Sequence, residues 1–304
     1  MIVSVGEILA DMMGVTQDGE TTYQQKAGGA PFNLSCAIKK LGGEVKFVGA
    51  VGNDLVGKFL IDYARQFDLG DYITVRGDAN TTLAFVSHDE SGERSFCFYR
   101  SHTADYMLDE IDEKLLDSAS IIHIGSLMLG KETGRTYARN LAQKAKNANK
   151  TISFDVNYRS DIFSSESEAI GVFKQMIEFA DIVKFSQEEV EIFGEEYINS
   201  LKDKLVLITL GKKGSKWLMN GDSGSADSIS VNVVDTTGAG DAFYGAVLTK
   251  LDTTYPVVFD KTGVKSPKIM NEILRFANAV GALATEKKGA IDALPTIDEV
   301  QKRL

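Results

Sequence analysis

The chain has 304 residues, enough for one large α/β domain with an excursion or for about two or three smaller domains. Hydrophobic residues make up 43% and charged residues 25% of it, which is ordinary for a globular protein and excludes a disordered, collagen-like or coiled-coil chain. With 43 acidic and 33 basic residues the net charge is −10, so nucleic acid and anionic membrane surfaces are not expected as partners.

The cysteines and the N-terminal residues give no indication of secretion. Cys36 and Cys97 stand far apart, and the three histidines have no metal-ligand spacing, which argues against a disulfide scaffold and a zinc site. Glu7 lies where a signal peptide requires apolar residues, and no run of about 18 apolar residues follows. The sequence therefore predicts a cytoplasmic protein that does not span a membrane.

Apolar, β-branched runs alternate with amphipathic stretches along most of the chain. The patterns predict strands over 2–9, 45–51, 121–124, 151–156, 182–185 and 205–210, and helices over 32–41, 56–67, 137–148 and 172–179. Strand and helix in alternation are typical of a parallel sheet covered by helices. The short β-branched runs indicate strands that are buried on both faces of that sheet.

A hairpin interrupts this alternation. Residues 82–88 and 95–100 each alternate with a period of two and are joined by a turn-rich connector over 89–93. The alternating apolar side chains must cover a ligand, a partner chain or the body of the domain. The simpler alternative is an extension at the edge of the main sheet.

Residues 28–33 form a glycine-rich turn before the first predicted helix. Gly28 and Gly29 lack the Cβ atoms that would block the approach of a ligand, and Pro31 suits a first helical position. Asn33 offers both a donor and an acceptor, as a sugar hydroxyl requires. A tight turn with no ligand would use the same residues.

The segment 235–243 carries the most informative pattern, D-T-T-G-A-G-D-A-F. Gly238, Ala239 and Gly240 let backbone N–H groups converge at a helix start, where the helix dipole favours an anion. Asp241 in the first helical turn would then lie beside a bound phosphate and could take a proton from an attacking hydroxyl. The alternative is a glycine-rich turn in which Asp241 is only a favourable charge at a helix start.

This segment resembles the C-terminal signature D-T-x-G-A-G-D-x-F of the PfkB or ribokinase-like family of carbohydrate kinases. Residues 28–37 are similar to that family's N-terminal G-G-A-x-x-N-x-A, and the resemblance runs in the family's order from Ile2 to Pro295. It implies a single ribokinase-like α/β domain over 1–304, with a mostly parallel sheet flanked by helices. A small β lid would come from about 11–25 and 72–100.

The resemblance also implies roles around the sugar. Asp241 would be the catalytic base, and the amides of Gly238, Ala239 and Gly240 would stabilise the transferring phosphoryl group. The residues implied to bind substrate are Asp11, Gly28, Gly29, Asn33, Arg100 and Arg159. The two arginines lie in Y-R and D-x-N-x-R sequences that look like those of the fructokinase and 2-keto-3-deoxygluconate kinase branches.

For the nucleotide and the metal ions the resemblance implies further residues. ATP would contact Thr209, Gly211, Gly214, Asn278 and Gly289. A monovalent site, expected to hold K⁺, would use oxygens of Asp235, Thr237, Ala284, Lys287 and Gly289. Glu189 matches the glutamate of the family's N-x-x-E, which acts on Mg²⁺, but Ser186 replaces the asparagine. Ser186 and Glu189 also have the spacing of a helix capping box, so a purely structural role competes here.

The resulting hypothesis is ATP-dependent phosphorylation of the primary hydroxyl of a ketose, with fructose first. Other members of the family, such as 2-keto-3-deoxygluconate kinase, are alternatives, and so is a non-catalytic sugar- or nucleotide-binding regulator, because a fold does not determine an activity. The expected partners are the sugar, ATP and a second copy of the chain paired through the β lid.

Overall fold

A computed structural model of the chain describes residues 1–17, 20–88, 94–254, 257–260 and 262–304. Its strands are β1 (Ile2–Val5), β2 (Leu9–Gln17), β3 (Glu20–Gly28), β4 (Val45–Gly52), β5 (Tyr72–Arg76), β6 (Leu83–His88), β7 (Arg94–Tyr99), β8 (Ile121–Ile124), β9 (Thr151–Asp155), β10 (Ile182–Ser186), β11 (Leu205–Thr209), β12 (Ser215–Met219), β13 (Asp222–Ala226), β14 (Phe259–Asp260) and β15 (Gly263–Val264). Its α-helices are α1 (Ala30–Lys40), α2 (Leu55–Arg65), α3 (Glu113–Ser118), α4 (Glu132–Asn147), α5 (Glu166–Ile177), α6 (Gln187–Phe193), α7 (Glu195–Ser200), α8 (Ala239–Thr254), α9 (Pro267–Leu283) and α10 (Ile297–Gln301).

The central sheet follows the order β13-β12-β11-β10-β9-β8-β1-β4-β5. The strands from β11 to β5 pair in parallel, while β12 and β13 continue the sheet in antiparallel hairpins. The α/β fold expected from the sequence is confirmed. Because parallel strands share one carboxyl edge, the loops after β1, β9, β10 and β11 lie along the same edge, where open α/β sheets bind ligands.

Helices cover both faces of this sheet. On one face α1, α2, α8, α9 and α10 enclose an apolar cluster that includes Phe32, Leu60 and Val247. On the other face α3 to α7 enclose a second cluster, with Phe173 and Phe193 among its members. Most of the apolar area on the inner strands is therefore removed from water on both sides, as the β-branched runs indicated, whereas the edge strands β5 and β13 are more exposed.

A second sheet of four strands, in the order β3-β2-β6-β7, stands apart from the first. The predicted hairpin is confirmed as β6 and β7, which pair antiparallel; its connector over 89–93 lies outside the described residues. β6 pairs with β2 and so does not extend the main sheet, which decides between the two interpretations of the hairpin.

Two boundaries differ from the sequence prediction. The run over 2–9 is not one strand: β1 ends at Val5 in the main sheet, and β2 begins at Leu9 in the small sheet. An apolar run in the sequence does not show that the chain leaves the main sheet after Val5 and enters the small sheet at Leu9. Tyr72–Arg76, expected within the lid segment 72–100, instead pairs with β4 at the edge of the main sheet.

Within the described part of the chain, no helix is both long enough and apolar enough to cross a lipid bilayer.

Candidate active site

Two pockets open at the carboxyl edge of the main sheet, one on each side of the start of α8. The large pocket has a volume of about 790 Å³ and the small pocket about 80 Å³. Ala239 and Gly240 line the large pocket, whereas Gly238 and Asp241 line the small one. The segment 238–241 is therefore a partition that both pockets share.

The large pocket brings together most of the residues expected around a nucleotide. Thr209, Gly211, Gly214 and Asn278 line it, and Gly289 does not. Asn278 Nδ2 donates to the carbonyl oxygens of Ala226 at 2.8 Å and Asp227 at 3.3 Å. Asn278 thus braces the backbone that leads from β13 into the pocket wall at 228–231.

Six of the residues expected around the sugar and the reacting hydroxyl line the small pocket. These are Asp11, Gly29, Asn33, Arg159, Gly238 and Asp241. Leu9 and Phe98 from the small sheet and Leu127 from the main body complete an apolar wall. The small sheet therefore closes one side of this pocket.

Asp241 lies in the first turn of α8, where its carboxylate has a fixed partner. Asn33 Nδ2 donates to Asp241 Oδ2 at 2.8 Å, which connects the starts of α1 and α8. Burial raises the pKa of Asp241 to about 6, and the negative charge of Asp155 raises it as well. The Asn33 hydrogen bond and the positive charges of Lys184 and Arg159 lower it. A carboxylate with this pKa is ionised at neutral pH yet basic enough to accept a proton.

Asp11 shares the small pocket with Asp241 and responds to its charge. Burial raises the pKa of Asp11 to about 7; the charge of Asp241 raises it further and Arg159 lowers it. Arg159 is therefore the cation that both carboxyl groups face, while its own Nη1 donates to the Tyr158 carbonyl at 2.9 Å.

Contacts within the protein itself require glycine in the segment before α1. A Cβ on Gly28 would lie 2.2 Å from Asp11 Oδ2, and one on Gly29 would lie 2.5 Å from the Glu7 carbonyl oxygen. Gly29 also has φ of 109°, a region that favours glycine. The close approach of the protein's own chain excludes side chains here, and Gly28 does not line the small pocket.

Arg100, expected to contact the substrate, is instead paired inside the protein. Its Nε donates to Asp105 Oδ2 at 2.9 Å, its Nη2 bonds to the same oxygen, and both side chains are buried. Hydroxyls of Thr82 and Thr103 donate to Asp105 as well. Arg100 is not among the residues that line the small pocket, whereas Arg159 is.

Glu189 and Ser186 form the capping box that the sequence offered as an alternative. Glu189 N donates to Ser186 Oγ at 3.2 Å, and Glu189 Oε2 accepts from Ser186 N at 2.7 Å. Glu189 Oε1 accepts from Tyr158 N at 2.7 Å, so both carboxyl oxygens are engaged by the backbone. The box joins the loop after β9 to the start of α6.

The residues expected around a monovalent cation lie in two adjoining loops. Asp235 Oδ1 accepts from Thr237 N at 2.8 Å, and Asp235 Oδ2 accepts from Gly289 N at 2.8 Å. The backbone N–H of Asp235 donates to the Thr285 carbonyl at 3.1 Å, next to buried Ala284. The side chain of Lys287 is exposed and lies 3.8 Å from Glu299, so only its backbone is left for such a site.

Two buried features of the site were missed from the sequence. Lys184 in β10 forms an ion pair with Asp155 at 2.8 Å, and Glu7, in the turn between β1 and β2, lines the small pocket. A lysine within the apolar run 182–185 is a recognisable signal, because lysine is almost never fully buried unless it is paired. Glu7 was noticed only as an argument against a signal peptide.

The family model of pfkB family carbohydrate kinases matches residues 1–297. The chain belongs to this family. Among the curated relatives, probable fructokinase-2 of Arabidopsis thaliana is 38% identical over 97% of this chain and 93% of that protein. Fructokinase-1 of Zea mays is 37% identical over 99% of this chain and 96% of that protein.

Solved structures of fructokinases agree with this fold along the whole chain. Fructokinase from Xylella fastidiosa with bound ATP superposes with a TM-score of 0.90 at 31% identity, covering 99% of this chain and 97% of that one. Fructokinase from Vibrio cholerae O395, in a form that holds fructose, ADP and a calcium ion, gives a TM-score of 0.87 at 28% identity, with coverage of 100% and 98%. The ribokinase-like fold expected from the sequence is confirmed, and the chain is a carbohydrate kinase.

Proposed function

We propose that this carbohydrate kinase is a fructokinase that transfers the γ-phosphoryl group of ATP to the primary hydroxyl of fructose. The observation that carries the proposal is the partition over 238–241, which presents Asp241 to the small pocket and Ala239 and Gly240 to the large one. A sugar hydroxyl in the small pocket and the γ-phosphate of ATP in the large pocket would therefore meet at this turn. The relatives named fructokinase in plants and bacteria support the choice of sugar.

In the proposed reaction Asp241 accepts the proton of the sugar hydroxyl as its oxygen attacks the γ-phosphorus. The new O–P bond forms while the bond to the bridging oxygen of ATP breaks, and ADP leaves with that electron pair. The N–H of Ala239, the first residue of α8, donates to the Thr236 carbonyl at 3.3 Å. The N–H groups of Gly240 and Asp241 have no partner within the helix, so they can stabilise the charge on the transferring group. Asn33 holds the carboxylate of Asp241 in place through its 2.8 Å hydrogen bond.

Magnesium would act here mainly as part of the nucleotide. The described residues contain no group of three His, Cys, Asp or Glu side chains able to hold a metal ion. Mg²⁺ would therefore be held largely by the ATP phosphates, whose charge it neutralises. Both carboxyl oxygens of Glu189 already accept backbone hydrogen bonds. Glu189 can therefore contact Mg²⁺ only through their remaining lone pairs, either directly or through water.

The charges of the small pocket favour a neutral sugar over 2-keto-3-deoxygluconate. Among the described residues that line the pocket, Arg159 is the one cation, against the ionised carboxylate of Asp241 and the partly ionised carboxyl group of Asp11, while burial keeps the pKa of Glu7 at about 8 and that group largely neutral. Arg100 is paired with Asp105 and does not line this pocket, which argues against a second arginine in a carboxylate clamp. A carboxylate substrate would therefore meet more repulsion than attraction in this pocket.

The test is an ADP-release assay with purified protein, ATP and a panel of sugars. We expect kcat/KM for fructose to exceed that for 2-keto-3-deoxygluconate. A preference of tenfold or more for the acid, about 1.4 kcal/mol of transition-state stabilisation, would overturn the choice of fructose. Absence of turnover with every sugar, combined with measurable binding, would favour the non-catalytic regulator instead.

Arg159→Lys sharpens this choice of substrate. Lysine keeps the positive charge but loses the two-pronged hydrogen bonding of a guanidinium. We expect kcat/KM for fructose to fall by less than about tenfold, because a neutral ketose offers no carboxylate for a bidentate pair. A loss of 10² or more confined to the acid sugar would identify Arg159 as a carboxylate clamp.

We also propose that two chains pair through the small sheet, in the cytoplasm. Tyr23 and Tyr99 are 51% and 61% exposed, and each packs edge-on against Phe85 between them, with ring centroids 5.0 and 5.2 Å apart. Exposed aromatic side chains in a row are typical of a surface that a partner covers. Sedimentation at twice the mass of the chain, with sedimentation at the single mass in Tyr99→Lys, would support the pairing.

The free thiols of Cys36 and Cys97 are consistent with a reducing compartment.

A further inference from the structure

Lys184 and Asp155 form an ion pair in the middle of the main sheet, directly behind the partition. They are register partners on adjacent parallel strands, β10 and β9. Lys184 Nζ donates to Asp155 Oδ1 at 2.8 Å and to Oδ2 at 3.0 Å, and each side chain is 6% exposed. Burying such a pair costs desolvation that its attraction only partly repays, so packing stability alone does not explain it.

The ammonium group of Lys184 lies against the first turn of α8. A Cβ on Gly240 would lie 3.6 Å from Lys184 Nζ and 3.8 Å from Cε. Since Gly240 has no side chain, nothing at that position separates the ammonium from the turn that lines the large pocket. The positive charge of Lys184 therefore adds to that of the helix start.

Acidic groups surround this ammonium and Asp241 from several elements. Asp155 on β9 and Asp11 on β2 face Asp241 with negative charge, and Glu189 on α6 faces Lys184. Arg159, in the loop after β9, faces Asp241 with positive charge, while Asn33 on α1 donates its hydrogen bond. Without Lys184, Arg159 would be the remaining cation among these groups.

We propose that the Lys184–Asp155 pair is a positioning element of the catalytic site. Asp155 holds the ammonium of Lys184 beside Gly240, and that charge keeps Asp241 ionised so that it can accept the proton of the sugar hydroxyl. The catalytic part of this inference rests on the proposed function, whereas the electrostatic part concerns the protein alone. Lys184 acts through Asp241 and is not itself a catalytic residue.

The electrostatic part is tested by titrating Asp241 without any ligand. Protein labelled with ¹³C at the aspartate side-chain carboxyl is followed by NMR from pH 4 to 9, and the Asp241 signal is assigned by its loss in Asp241→Asn. Lys184→Met removes the charge at similar length, and Lys184→Gln removes it while keeping a donor for Asp155. In both variants we expect the midpoint of Asp241 to rise by about one pH unit or more.

Two further variants separate charge from packing. Lys184→Arg keeps the positive charge, and we expect the Asp241 midpoint to stay close to that of the unaltered protein. The double variant Asp155→Asn with Lys184→Met removes both opposing charges, and its midpoint should lie below that of Lys184→Met, because the charge of Asp155 that raises the pKa of Asp241 is also gone. Comparing Asp155→Asn alone with the double variant measures the effect of Lys184 a second time, in a background without an unpaired buried carboxylate. Thermal melts confirm that each variant is folded.

The same variants are then assayed with fructose and ATP. We expect the acid limb of kcat/KM in Lys184→Met to move to higher pH together with the NMR midpoint. An unmoved Asp241 midpoint in the folded Lys184→Met and Lys184→Gln variants would overturn the inference, whatever their activity. A shifted midpoint in a protein that does not phosphorylate fructose would instead overturn the proposed function and leave the electrostatic role of Lys184 in place.

Discussion

The two pockets on either side of α8 differ in how they are built. The lining of the large pocket includes two ionisable residues, Glu188 and Lys212, and is otherwise made of Asn278, glycines, hydroxyl residues and apolar side chains. The small pocket has about a tenth of that volume yet is lined by Glu7, Asp11, Arg159 and Asp241. A polyphosphate carries its own charge and can be held by backbone N–H groups, whereas a neutral sugar must be oriented by side-chain donors and acceptors.

This comparison predicts that substitutions in the small pocket change the chemical step, while those in the large pocket change nucleotide binding. The largest effect is expected for Asp241→Asn. The amide keeps the shape of the side chain but cannot accept the hydroxyl proton, so kcat should fall by roughly 10² or more while both substrates still bind. Steady-state kinetics and calorimetric titration with the sugar and with a nucleotide measure the two halves of this expectation.

Asp62→Asn is a matched control for Asp241→Asn. Asp62 is exposed on α2, where it pairs with Arg65 at 3.1 Å, and the same change of charge there should leave kcat within about twofold. Near-normal turnover in Asp241→Asn would remove the base from the proposed reaction.

On the other side of the partition, Asn278→Ala should raise KM for ATP with a smaller change in kcat. Truncation leaves the carbonyls of Ala226 and Asp227 without the donor that braces them, which loosens one wall of the large pocket. The loss of one buried hydrogen bond corresponds to about a tenfold weaker affinity for ATP. An equal loss in kcat, or a change confined to the KM for sugar, would contradict the assignment of nucleotide binding to the large pocket and of the chemical step to the small one.

The sequence predicted the partition better than the surroundings that tune it. Asp241 and the glycines of segment 235–243 lie close together in any fold of the chain, because they are neighbours in sequence and belong to one turn. Arg100 was assigned from a resemblance between short strings, but its position depends on Asp105, Thr82 and Thr103, which meet it only in the folded protein. Lys184 and Asp155 are likewise 29 residues apart and become partners through strand register.

A smaller effect is expected from the monovalent cation. The loops that carry Asp235 and Gly289 are joined by hydrogen bonds next to the partition, and the oxygens assigned to the site are mostly backbone carbonyls, which suit K⁺. Exchange of Na⁺ for K⁺ at constant ionic strength should therefore raise kcat by about threefold or more. Equal rates in both salts would exclude this site while leaving the roles of the two pockets intact.

The smallest expected effect concerns stability and comes from Glu7, which lines the small pocket. Glu7 Oε1 accepts from Ala30 N at 3.1 Å, while Oε2 is buried without a hydrogen-bond partner. Burial raises the pKa of Glu7 from 4.5 to about 8; the charge of Asp105 adds to this, and backbone N–H groups and Arg100 oppose it. Glu7 is thus a neutral acid through most of the physiological range, unlike Asp241.

The sign of the pH dependence follows from this difference between the folded and unfolded states. Between pH 4.5 and about 8 the folded chain keeps the proton of Glu7 while the unfolded chain releases it, so rising pH lowers the free energy of unfolding through this window. Glu7→Gln is neutral in both states, keeps an oxygen for the Ala30 N–H and removes this dependence. The melting temperature of Glu7→Gln minus that of the unaltered protein should therefore increase by about 2 °C or more from pH 5 to pH 8. The shifted carboxyl groups of Asp11 and Asp241 are present in both proteins and cancel in this difference, so a flat or falling difference would show that Glu7 is ionised in the folded chain.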